Sequence, residues 1–316
     1  TLQAAIDQAR RTAADLVIAS DPDADRIGVA VPTTSDPMGE WTNLTGNQIG
    51  VLLSAFVIDR MNQAGRLLAG HYLVTTLVTS EMAGELARQV HVNVEADLLV
   101  GFKWIAARID EKGPNDFLFG FEESHGYLGG LHVRDKDAGV AALLMAELAA
   151  HLKAAGQSVL SYLDELYLRA GHYLEDQINI YLEGREGVAQ AQKLMQAFRE
   201  TPPLMIAGLP VVAISDYKTG VRRLLDGSST EQAITQPRGD LLIFQLNSPG
   251  NRFAVRPSGT EPKVKIYLFA RTETSDLTAA GPALESRKQA SRATLDAMTR
   301  DLLIYQRQVL SSTDAT

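Results

Sequence analysis

Apolar positions along the chain follow two patterns, and the change falls near Tyr173. Before it, short apolar runs alternate with amphipathic stretches. Leu16 to Ser20 and His71 to Thr76 read as buried strands. Leu2, Ala5, Ile6, Ala9 and Ala13 recur at helical spacing, as do Ile49, Leu52, Leu53, Phe56 and Val57 within Thr45 to Met61, and Phe102, Ile105 and Ile109 further on. Glu81 to Val90 adds another helix, and Thr33 to Glu40, with Pro37 and Gly39, reads as a hairpin turn ending near Trp41. Strand and helix in alternation predict α/β architecture with a parallel sheet. Ala138 to Ala155 is a strong helix. Beyond Tyr173 come a helix over Gly187 to Glu200, Pro202-Pro203, several strands between Leu209 and Phe269, and a terminal helix from about Pro282 to Leu310. That order predicts a separate α+β domain.

The strand ending at Ser20 leads straight into Asp21-Pro22-Asp23-Ala24-Asp25-Arg26. Three carboxylates alternating over so short a stretch repel one another unless water screens them or a cation neutralises them. Oxygen donors with no His or Cys nearby favour a hard ion such as Mg²⁺ over zinc. An EF-hand fails, because Arg26 stands at the sharp-turn glycine and Pro32 at the bidentate Glu. Two alternatives stay open, an aspartyl-nucleophile phosphatase using Asp21 and a solvated acidic turn.

A second chemical loop is Arg256-Pro257-Ser258-Gly259-Thr260-Glu261-Pro262, between the strand patterns Phe253 to Val255 and Val264 to Leu268. A guanidinium, two hydroxyls and a glycine-flexible backbone suit a phosphate dianion. The same residue types also make an ordinary hairpin turn.

Composition narrows the classes. The chain has 316 residues, 45% of them hydrophobic, which is enough for two to three ordinary cores. With no cysteine, disulfides and thiolate metal sites are excluded. The net charge of −8 argues against nucleic-acid binding. Apolar runs are short and interrupted, so no membrane span or signal is expected and a cytoplasmic protein is.

Five motifs now stand in order: the Asp loop, Gly101-Phe102-Lys103-Trp104-Ile105, Gly120-Phe121-Glu122-Glu123-Ser124, Arg134-Asp135-Lys136-Asp137 and the Arg256 loop. Together they resemble the α-D-phosphohexomutase superfamily, in its phosphoglucomutase and phosphomannomutase branch. The resemblance implies mixed-sheet three-layer α/β domains followed by an α+β (TBP-like) domain. It divides the chain into residues 1–43, the remainder of a second domain with the metal loop; 44–172, a sugar-binding third domain; and 173–316, a phosphate-binding fourth.

It also implies roles. Asp21, Asp23 and Asp25 match Mg²⁺ ligands, and Arg26 matches the arginine facing a phosphoserine. Gly101 and Lys103 match a substrate loop, with Lys103 the candidate acid/base. Glu122 and Ser124 match the pair reading sugar hydroxyls, and Lys136 matches a phosphate-facing lysine. Arg256, Ser258, Gly259, Thr260 and Lys263 match the phosphate clamp. On residue types alone, Lys103 also reads as a solvated helix residue, Lys136 as a surface ion pair, and the glycines around Glu122 as a loop rather than a di-iron helix.

The implied partner is a small sugar phosphate of glucose, mannose or pentose, with glucose 1,6-bisphosphate as activator of the intact enzyme. Two local departures are Val100 for a usual threonine and His125 for a usual tyrosine. The third is that no Ser-His-Asn-Pro-like phosphoserine loop occurs in the sequence. The chain is therefore expected to be the carboxy-terminal part of a mutase, inactive by itself. A non-catalytic sugar-phosphate-binding module is the further alternative.

Overall fold

The computed structural model describes every residue except 1, 183, 185, 226–229, 236, 237, 260, 274–281 and 313–316. The chain divides into two compact units, Thr1–Ala170 and Gly171–Thr316. Residues 1–43 and 44–170 both fall in the first of these units.

In the first unit, helix α1 (Gln3–Thr12) buries Ile6 and Ala9 against Val17 and Ala30. Strands β1 (Val17–Ser20), β2 (Ile27–Pro32) and β3 (Trp41–Leu44) form an antiparallel sheet. The β2–β3 turn closes with Thr33 N–H donating to the Glu40 carbonyl, as its proline and glycine predict. Helix α2 (Gly46–Gln63) starts at a capping box in which Thr45 and Gln48 satisfy each other's backbone amides. Its sequence suggests one apolar face, but residues around most of the helix are buried.

Strand β4 (Tyr72–Thr76), helix α3 (Met82–Gln89), strand β5 (Asn93–Leu98) and helix α4 (Phe102–Lys112) follow, then β6 (Phe117–Glu122) and β7 (Gly126–Gly129). The sheet order is β5-β4-β6-β7, with β4 parallel to β5 and β6, and β7 antiparallel. Successive residues of β6 show the layering. A Cβ on Gly120 would meet Ile105 of α4, whereas the Phe121 ring lies where a Cβ on Gly50 of α2 would be. The sheet is thus covered on both faces. Helices α5 (Ala138–Ala154) and α6 (Val159–Ala170) complete the unit.

The second unit begins with β8 (His172–Tyr181) and α7 (Gly187–Glu200). It continues through β9 (Met205–Ile206), β10 (Leu209–Asp216), β11 (Val221–Leu224), β12 (Glu231–Ala233), β13 (Leu242–Leu246), β14 (Arg252–Pro257) and β15 (Lys263–Thr272) to α8 (Pro282–Ser311). The antiparallel sheet runs β12-β11-β10-β13-β14-β15-β8, with β9 on β10. Helices α7 and α8 contribute Leu194, Met195, Phe198, Leu295, Met298 and Leu302 to a core with Phe244, Phe253, Val255, Val264 and Ile266. The unit is α+β. Among the described residues no single helix is long and apolar enough to cross a membrane.

Candidate active site

The Asp loop joins β1 to β2. Asp21 Oδ1 accepts the backbone N–H of Asp25 at 3.2 Å and of Arg26 at 3.3 Å, and Ala24 takes φ +54° to let the chain turn back. Partial desolvation pushes the Asp21 carboxyl up. The backbone amides of Arg26 and Asp25 and the Arg26 charge outweigh it, so the carboxyl lies below its ordinary value.

Asp25 is held by cations: Lys136 Nζ lies 3.3 Å from Oδ2 and Arg26 Nε 3.6 Å from Oδ1. Asp23 is exposed. The three carboxylates read as a metal triad do not converge, and among the described residues no group of three acidic or histidine side chains is gathered to hold a metal. The physical reason is mutual repulsion, relieved here by backbone amides for Asp21 and by cations for Asp25. In kind the donors still fit a hard divalent ion. They are oxygen only, and Asp25 Oδ1 is buried without a hydrogen bond.

The residues around Glu122, read from their glycines as a loop, form the β6–β7 hairpin instead. Gly120 fits beneath the Val74 carbonyl, and Gly126 beneath the Lys136 stem. Glu122 is 5% exposed, and its Oε1 accepts the Gly101 N–H at 2.7 Å where α4 begins. Gly101 has φ +124°, a conformation that side chains resist. Ser124 is exposed at the turn.

His125, at φ +69°, ties this turn to the Asp loop. Its carbonyl accepts the Ile27 N–H at 3.3 Å, and its Nδ1 lies 3.1 Å from the Ile27 carbonyl, so Nδ1 carries the proton. Burial holds the imidazole below its ordinary pKa. The bond to Ile27 opposes this, and the Arg26 charge adds to it. Arg26 and Gly126 form a β-bridge, and the Ala138 N–H donates to the Ala24 carbonyl. Asp25, Arg26, Glu122, Ser124 and Lys136 are thereby brought together.

Lys103 is exposed on the first turn of α4 with its ammonium 5.3 Å from the Trp104 ring centre. Arg134 is taken up structurally by Asp110 and two carbonyls. Asp135, which sequence reasoning did not single out, accepts from Lys136 Nζ at 2.9 Å.

In the second unit the Ser258 N–H donates to the Lys263 carbonyl at 2.8 Å and closes the Arg256 loop. Thr260 lies outside the described residues. The Lys263 ammonium pairs with Glu261, which holds it above its ordinary pKa, and sits over the Tyr181 ring.

A cavity of about 690 Å³ lies between α7 and the loop, lined by Met195, Arg199, Pro257, Ser258, Gly259 and Lys263 among others. Arg256 is not part of that lining. Val255 and Ile266 face the helices, so strand alternation places Arg256 and its cross-strand partner Lys265 on the opposite face. Two cations thus stand directly opposite each other on this face. By the same alternation Lys263 shares the Arg256 face, while its place at the start of β15 brings it to the edge of the cavity, and the spacing of two from Lys263 is the signal by which Lys265 could have been found.

Residues 45–169 match the family phosphoglucomutase/phosphomannomutase, alpha/beta/alpha domain III. The chain is 36% identical over 273 residues to a phosphoglucomutase of Staphylococcus aureus strain bovine RF122 / ET3-1, covering 86% of this chain and 48% of that protein. Against the phosphoglucomutase of strain MRSA252 it is 37% identical over 265 residues, covering 84% and 46%. The chain therefore spans about half the length of the curated relatives it matches.

The fold resembles that of the Paramecium phosphoglucomutase pp63/parafusin, with TM-score 0.55 and 16% identity over 94% of this chain and 45% of that one. It also resembles a phosphoglucomutase/phosphomannomutase family protein of Burkholderia thailandensis, with TM-score 0.52 and 15% identity over 94% and 50%. The fold is that of the phosphohexomutases. The chain belongs to the α-D-phosphohexomutase superfamily, in its phosphoglucomutase/phosphomannomutase branch.

Proposed function

We propose that this chain supplies the metal loop, the sugar-reading turn and the phosphate-holding loop of an enzyme that interconverts sugar 1-phosphates and 6-phosphates, or the pentose 1- and 5-phosphates. In that reading the transfer runs through an enzyme phosphoserine and a sugar bisphosphate. The observation that carries it is the pair of bonds between Ile27 and His125, which fixes the Asp loop beside Glu122 and Ser124. A buried carboxylate that accepts the Gly101 amide and an exposed hydroxyl at a tight turn suit vicinal sugar hydroxyls.

Arg256 with Lys265 on one sheet face suits a phosphate dianion. Asp21, Asp23 and Asp25 would hold Mg²⁺, which when bound supplies charge stabilisation to phosphoryl oxygens. Lys103, exposed beside Gly101, is the candidate acid/base. The aspartyl-phosphatase reading is not favoured, because the Asp21 carboxylate is engaged by two amides of its own turn.

The nucleophilic serine loop does not occur in these 316 residues. The isolated chain is therefore expected to give no interconversion of glucose 1-phosphate and 6-phosphate, even with Mg²⁺ and glucose 1,6-bisphosphate. Turnover by a preparation free of host mutase contradicts the reading.

A further inference from the structure

Lys136 is placed where the Asp loop needs positive charge. Its Nζ lies 3.3 Å from Asp25 Oδ2 and 2.9 Å from Asp135 Oδ1. The aliphatic stem lies flat across Gly126, where a Cβ would come within 2.3 Å of Lys136 Cδ, and the ammonium sits 5.2 Å from the Phe102 ring centre. With the side chain only 14% exposed, the ammonium is held against Asp25 rather than sampling solvent.

The contact satisfies Oδ2 alone. Oδ1 of the same carboxylate is buried without a hydrogen bond, with Arg26 Nε 3.6 Å away. An ammonium in this position and a divalent cation compete for the same carboxylate, since each needs its negative charge and each repels the other. Asp135 gives the ammonium a second partner already in contact, so leaving Asp25 does not strand a buried charge.

We propose that Lys136 is the built-in counter-ion of the Asp loop, an ammonium that neutralises Asp25 until a divalent cation displaces it toward Asp135. The inference rests on the reading of the loop as a metal site. It assigns Lys136 a task separate from contacting phosphate, that of setting how strongly the loop takes up a cation. It also accounts for a folded loop whose three carboxylates are not gathered.

The test is calorimetric titration of MgCl₂ into the 316-residue chain as wild type, Lys136→Met, Lys136→Gln and Lys153→Met. Methionine keeps the stem over Gly126, and the glutamine variant guards against a packing artefact. Lys153, which pairs with Asp15, controls for the loss of one positive charge. Both Lys136 variants should bind Mg²⁺ about tenfold more tightly than wild type, and Lys153→Met should change affinity by less than about twofold.

Mg²⁺ binding by the Lys136 variants with none detectable in wild type supports the proposal equally. Wild-type binding that the Lys136 variants leave unchanged or weaken overturns the proposal and leaves the metal site standing. No binding by any of the four overturns both.

Discussion

Gly101 and Glu122 are joined by one hydrogen bond of 2.7 Å, from the amide that opens α4 to the carboxylate that ends β6. The bond requires Gly101 at φ +124°, ψ 126°. Gly101→Ala must strain the backbone or give up the bond, at a cost of about 1–3 kcal/mol. A lowered thermal midpoint together with weaker glucose 6-phosphate binding is the expected outcome. Unchanged binding in a destabilised variant would show that Glu122 needs no anchor.

Asp21 organises its own loop by accepting two backbone amides. Asp21→Ala removes the acceptor of both bonds, so amide exchange at Asp25 and Arg26 should quicken by about tenfold or more, with the α4 amides unaffected. Hydrogen-exchange mass spectrometry reads this directly. Equal exchange in the two proteins would mean that the β1–β2 pairing alone shapes the turn.

The described residues include a second pH-sensitive group in His172, which begins β8 and is 5% exposed. Burial lowers its pKa to about 4, and the Lys288 and Arg292 charges add to this against Glu285. The unfolded chain takes up a proton near pH 6.5, whereas the folded one resists until about pH 4. Stability is therefore full above pH 6.5 and falls as the pH drops through this window, by roughly 3 kcal/mol at pH 4. Urea unfolding of wild type and His172→Gln between pH 7 and 4 checks it. The variant should show a flatter pH dependence, and parallel curves would assign the acid sensitivity elsewhere.

Arg256 and Lys265 oppose each other across β14 and β15. Arg256→Ala should cost about 1.5–3 kcal/mol of phosphate or sulfate binding, the range for losing a charged hydrogen bond. Arg256→Lys should recover only part, because a point charge lacks the guanidinium fork. Lys265→Met should weaken the same anion, while Lys218→Met, on the α7 cavity, should not. Titration at low ionic strength separates the two faces. Loss with Lys218→Met instead would move the anion to the cavity side.

Much of the fold is legible because periodicity reports burial. Phe102, Ile105 and Ile109 are spaced for one helix face, and all three are buried. The bounds of α7 also follow from its pattern. The β6–β7 hairpin was hidden by its glycines, whose purpose is close approach by Val74, Ile105 and Lys136, contacts that local sequence does not encode. Strand β8 was hidden by Glu175, Asp176, Gln177 and Asn179. Those polar side chains belong to an edge strand whose pairing with β15 supplies the order.

The site divides in the same way. Residue types within one loop, such as Asp21 and Asp25, are visible in sequence. Their arrangement depends on Lys136, Gly126 and His125, which the fold brings from far along the chain.

The central claim is that the Glu122 turn reads a sugar bearing a phosphate. Calorimetric titration of glucose 6-phosphate into wild type and Glu122→Gln, with inorganic phosphate as the reference ligand, tests it most directly. The account predicts that glucose 6-phosphate binds wild type more tightly than phosphate does, and that Glu122→Gln removes this advantage while leaving phosphate affinity unchanged. Equal affinities for the two ligands in wild type, or an advantage that survives in Glu122→Gln, would contradict it.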